Sequence, residues 1–145
     1  VVVDPFNVDT LNYILGVASI QEPTPLTLSL PVTQNDSLDI LGDVKFYNFS
    51  GTQDARLEFT LSHPEASALQ AKLLVYSPDV DTPFYERSLF ASTQATGNTG
   101  ARSRSTGPVT LPATGEYVIA VQSLDINSIV FSERTGGYVV TIEGA

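Results

Sequence analysis

The chain has 145 residues, no Cys, and seven Lys/Arg against sixteen Asp/Glu, for a formal net charge of −9. That is the length of one domain, enough to bury a core without staples, and the lack of Cys excludes disulfides and thiolate metal sites. The acid excess argues against nucleic acid and anionic membrane surfaces, which call for clustered basic residues, and no apolar run approaches the roughly 18 residues of a membrane span.

Residues 1–33 differ in character from residues 34–145. Val1-Val2-Val3 is an apolar start closed by Asp4-Pro5, with Phe6 behind it. Asp9-Thr10 is placed to cap a short helical turn carrying Leu11, Ile14 and Leu15 at i, i+3 and i+4. Tyr13, Ile14, Val17 and Ile20 equally suit a strand. Gln21-Glu22-Pro23-Thr24-Pro25 is a linker-like break, and Leu26–Leu30 then alternates as a half-buried strand stopped by Pro31.

From Gln34 onward, short alternating runs are separated by turn signals. Strands are predicted at Val44–Ser50, Arg56–Ser62, Ala71–Ser77, Arg87–Ala91, Pro108–Leu111, Glu116–Ser123, Ile129–Ser132 and Tyr138–Glu143. Gly42 allows the sharp turn in front of the first of these. Asp79–Pro83 reads as a loop. Thr93–Gly107, with its three glycines, predicts a mobile surface loop. Many short strands and no long helical period predict an all-β fold, an antiparallel β-sandwich or jelly roll over 34–145 behind an N-terminal extension over 1–33.

Four stretches, Gly42–Phe49, Leu73–Asp79, Leu111–Val121 and Gly136–Ile142, occur in the order of a bacterial pre-peptidase C-terminal domain, which residues 38–145 resemble. The most specific part is Leu111-Pro112-Ala113-Thr114-Gly115-Glu116-Tyr117. The resemblance implies a non-catalytic β-sandwich of the kind appended to secreted proteases and surface proteins, the collagen-binding modules of secreted collagenases among them. It also implies acidic residues that hold Ca²⁺ in several members. This chain departs from that pattern at three places: Lys45 stands where Asp is common, Gln70-Ala71-Lys72 replaces an Asp-Leu-Asp type of pattern, and Ser92-Thr93-Gln94 replaces frequent acids. Suppliers of the six to eight oxygens that Ca²⁺ requires are thereby lost.

Candidate sites follow from residue chemistry. The acids Asp36, Asp39, Asp43, Asp79 and Asp81 fall in predicted loops where carboxylates could converge on Ca²⁺, the one cofactor considered and not a required one. Asp also bonds its own backbone in turns. Tyr76, Phe84 and Tyr85 are candidates for an exposed aromatic contact patch. Arg102 and Arg104 concentrate positive charge that suits an acidic polymer or a solvated loop. Tyr47, Tyr117 and Tyr138 read as structural. His63 is the only histidine, and with no Gly-x-Ser-x-Gly elbow it reads as a surface side chain, not a general base. There is no Trp to stack on a sugar ring.

The expectation is a non-catalytic, prokaryotic, extracellular or cell-surface module that contacts a protein or an extracellular polymer. No basic segment precedes an apolar run, so any signal peptide is expected to be gone already. The alternative is a self-assembling surface or filament subunit. In that case Val1, Val2, Val3 and Phe6 form a strand that completes the sheet of a neighbouring copy instead of its own.

Overall fold

In the computed structural model, which describes residues 25–78, 89–97, 102–124 and 134–145, the alternating runs pair into two sheets. The strands are β1 (Leu26–Thr27), β2 (Val32–Leu38), β3 (Val44–Gly51), β4 (Arg56–Ser62), β5 (Ala71–Tyr76), β6 (Leu89–Ala95), β7 (Ser103–Thr110), β8 (Gly115–Ser123) and β9 (Gly136–Gly144). One sheet has the order β1-β3-β8-β5-β6 and the other β2-β9-β4-β7. Every pairing is antiparallel except the short contact of β1 with β3. The chain is an all-β sandwich.

A period of two decides what each layer buries. In β3, Tyr47 and Phe49 point inward. Their register partners in β8 are Ile119 and Tyr117, both fully buried. Leu57, Phe59 and Leu61 of β4 and Tyr138, Val140 and Ile142 of β9 supply the facing layer. Aromatic rings bridge the two: Phe49 lies 5.8 Å from Phe59 across the sandwich and stacks at 5.1 Å on its neighbour Tyr117. Tyr117 reaches the end of the core, where its hydroxyl donates to the Ala113 carbonyl at 2.7 Å.

Gly42 adopts φ +80° in the turn before β3, as the sequence predicts. At Gly97 the requirement is space instead: an added Cβ would collide with the backbone of Ala68.

Three expectations need correction. First, the polar run Val32–Leu38 forms β2, paired along its length with β9, so a domain boundary at 33/34 cuts through a strand. Residues 26–33 are part of the sandwich. Second, much of Thr93–Gly107 is strand, not loop. β6 runs to Ala95 and β7 begins at Ser103. Both are edge strands rich in Ser and Thr, whose small polar side chains break the apolar alternation that marks the interior strands. Third, only Leu26 and Thr27 of the predicted Leu26–Leu30 strand pair with β3, after which Leu28 donates its N–H to Asn48 O at 2.8 Å. The predicted helical turn near Leu11 and the strand Ile129–Ser132 lie outside the described residues.

Phe59 touches both layers and is fully buried. Phe59→Ala should therefore lower the unfolding free energy by about 3–5 kcal/mol, as read from the midpoint of urea denaturation. A loss under about 1 kcal/mol would mean that the aromatic bridge does not hold the sheets together.

Candidate binding surface

Asp36 lies in β2 directly across from Tyr138 of β9, both on the core-facing side at one end of the sandwich. Tyr47 reaches over from the opposite sheet and donates its hydroxyl to Asp36 Oδ2 at 2.6 Å. Its one proton is thus taken, and the short contact with the Tyr138 hydroxyl is made by Tyr138 donating to Tyr47. The result is a buried chain, Tyr138 to Tyr47 to Asp36, that joins the two sheets. Burial first, then the bond to Asp36, raises the Tyr47 phenol well above its usual range. Burial likewise raises Tyr138, with a further push from the charges of Asp36, Asp43 and Asp39.

The neighbouring acids are also engaged. Asp36 Oδ1 accepts the Ser37 N–H at 2.8 Å, Asp39 accepts the Ser37 hydroxyl, and Asp43 accepts the Asp39 N–H at 3.1 Å. Lys45 stands 3.9 Å from Asp43. These are turn and strand bonds of carboxylates with their own segment. Among the described residues no group of three or more His, Cys, Asp or Glu is arranged to hold a metal ion. The described acids do not fit the Ca²⁺ site that the resemblance implies; Asp79 and Asp81 lie outside the described residues.

His63, expected on the surface, is buried. Its Nε2 lies 2.7 Å from the Thr96 carbonyl, a bond in which the ring nitrogen donates, and Nδ1 faces Pro64 O at 3.4 Å. Edge strand β6 continues into Thr96, so the ring ties that edge to the end of β4. Both nitrogens face backbone acceptors, and a nucleophile's hydroxyl has no place on them. A groove of about 460 Å³ nearby is lined by small residues, among them Pro64, Ala66, Ser67, Gly136 and Gly137. Its lining carries no acid or base.

Of the candidate contact residues, Tyr76 is described: it is half-buried on the outer face of the five-stranded sheet, beside Val118 and Leu89 in register, and burial raises its phenol. Phe84 and Tyr85 lie outside the described residues, as do Val1, Val2, Val3 and Phe6. Arg102 pairs with Glu65 at 3.4 Å. Arg104 is exposed on β7 and lines a polar cleft of about 380 Å³ with Ser92, Thr93, Gln94, Thr96 and Ser105 of the two edge strands. Sequence reasoning missed this cleft because its walls come from the stretch read as loop. The one available signal was the pair Ser103 and Ser105 at alternating positions on either side of Arg104.

No family model matches the chain, and no curated protein does. Among solved structures, the fold is similar to the pre-peptidase C-terminal domain of a collagenase from Bacillus anthracis, with a TM-score of 0.57 and 10% identity over 86% of this chain and 100% of that one. It is similar to CorA, a surface-associated copper-binding protein of Methylomicrobium album BG8, with a TM-score of 0.60 and 8% identity over 84% and 98%. A third neighbour is PliG of Salmonella Typhimurium, a periplasmic inhibitor of g-type lysozyme, with a TM-score of 0.52 and 16% identity over 84% and 98%. At these identities the likeness establishes the fold.

A phenol raised in the folded state contributes stability that is fully present below its unfolded value of about 10 and is lost as pH climbs from there toward the raised value. The melting temperature should therefore fall as pH rises above about 10, with phenolate absorbance from Tyr47 and Tyr138 appearing only on unfolding. Ionisation of all the tyrosines while the fold persists would contradict the buried chain. Tyr47→Phe, which strips Asp36 of its donor, should destabilise by about 1.5–3 kcal/mol, and Tyr138→Phe by about 0.5–1.5.

Proposed function

We propose that the protein is a non-catalytic extracellular or periplasmic β-sandwich module that contacts a protein or a matrix polymer through its edges and loops. The observation that supports this most is where the polar chemistry goes. His63 bonds to a strand carbonyl, and Asp36 bonds to Tyr47 and to its own segment, so the groups a catalyst would use hold the fold together. The named roles of the structural neighbours, an inhibitor of a protein and a domain of a collagenase, agree with a binding role. None of the described helical residues forms a segment long and apolar enough to cross a membrane.

Copper is left out of the proposal. Soft-metal sites draw on Cys, Met and His; this chain has no Cys or Met, and its single His is bound to backbone.

A second reading, a self-assembling subunit, is favoured by one observation. Among the described residues β1 pairs with only Tyr47 and Asn48 of the eight-residue strand β3, an edge that a donated strand could extend.

The module reading is tested by measuring saturable binding of the chain to immobilised collagen and to g-type lysozyme, alongside assays with peptide, ester and glycoside substrates. Binding without turnover is expected. Turnover abolished by His63→Ala would overturn the reading. Light scattering on a variant lacking residues 1–20 separates the two readings: a module keeps its mass and its binding, whereas a strand-donating subunit loses its oligomers.

A further inference from the structure

We propose that the outer edge of β6 is a docking edge for a protein partner, whose extended segment pairs with the backbone of Ala91–Ala95 and presents an acidic side chain to Arg104. The inference rests on the module reading and names the place and the chemistry of the contact.

The two sheets end in four edges: β1 and β6 on one, β2 and β7 on the other. Exposed strand edges invite pairing, and natural sheets blunt them with short strands, charge, Pro or bulges. Three of the four edges here are blunted. β1 is two residues long, and the stretch of β3 that it leaves uncovered carries Lys45. β2 follows Pro31 and carries Asp36. β7 contains Pro108, which has no N–H, next to Gly107 at φ +72° and a register shift opposite Glu58 and Thr60. β6 is seven residues long, with no Pro and no charged residue. Its register with β5 is unbroken from Ala95 to Ala91. Among the described strands its only ladder partner is β5, so on the far side every second backbone N–H and C=O has no strand partner among the described residues.

The side chains around this edge point to an acidic segment. Arg104 stands across β7 from Leu61, a fully buried core residue, and so lies on the core-facing side of its sheet. At the margin of the sandwich that side opens on the cleft toward Ser92, Gln94 and Thr96. No ion pair among the described residues involves Arg104, whereas Arg102 is taken by Glu65. Lys72 stands beside Gln94 in the ladder. In a chain of net charge −9, Arg104 and Lys72 thus bring two cations to this edge, while the nearby Glu58 accepts from the Ser105 hydroxyl. Leu89, 55% exposed at the start of β6, offers an apolar foothold. A second copy is a poorer occupant, because two chains of net charge −9 repel and would face Arg104 and Lys72 with their like.

The test is an amide NMR titration of the full chain with a blocked hexapeptide, Thr-Val-Asp-Val-Thr-Val. Its controls are the same peptide with Lys for Asp and the same peptide N-methylated at alternate residues. Shifts and slowed hydrogen exchange are expected at Ala91–Ala95, and these should be lost with the N-methylated peptide. Arg104→Glu should weaken the acidic peptide by about tenfold or more and restore binding to the Lys peptide. No response in β6, equal binding of the N-methylated peptide, or indifference to Arg104→Glu overturns the proposal. Should the Arg104→Glu chain still bind collagen or lysozyme as the wild type does, the edge proposal falls and the module reading stands. Should the wild type bind neither protein and yet show the β6 response, the edge proposal stands on its own.

Discussion

The register of β3 against β8 is the constraint on which the rest of the sandwich depends. It sets Tyr47 beside Ile119 and Phe49 beside Tyr117, and in doing so sends two large aromatic side chains to the interior. A slip of one residue would turn Phe46 and Asn48 inward and expose both rings, because side chains alternate strictly along a strand. Phe49 then meets Phe59 from the other sheet, and Tyr47 meets Tyr138 and Asp36. One register thus fixes both the apolar bridge between the layers and the polar one.

The polar bridge also accounts for the fate of the acids. Asp36 sits at a sandwich end with Asp39 and Asp43 nearby in sequence, but the three are not arranged to hold a metal ion. Buried phenols need an acceptor, and Asp36 supplies it. Asp39 and Asp43 close the turn into β3, and Lys45 stands within salt-bridge distance of Asp43.

The two ends of the fold divide the labour. At the Asp36 end polar groups bond inward and the sheets are clasped. At the β6–β7 seam the sheets meet as edges and Arg104 lies open to solvent. His63 holds Thr96, which follows β6, against the end of β4.

Local pattern determined much of this protein. Leu57, Phe59 and Leu61 alternate with polar residues and could only be a half-buried strand, and Gly42 marked the turn that precedes β3. The acid excess and missing Cys confined the chemistry through composition alone. Tertiary pairing decided the rest. Val32–Leu38 is too polar to announce itself and becomes a strand because β9 offers it a ladder. Ser92–Gln94 and Ser103–Thr106 look like loop because polar residues interrupt their apolar alternation, and they become strands through the ladders that β5 and β4 offer. Whether Asp36 serves a cation or a phenol, and whether His63 is exposed or buried, depends on residues that stand far away in the chain: Tyr47, Tyr138 and Thr96. Sequence carries the periodicity of each strand, but which side chains converge is set by packing between strands, and no local pattern encodes that.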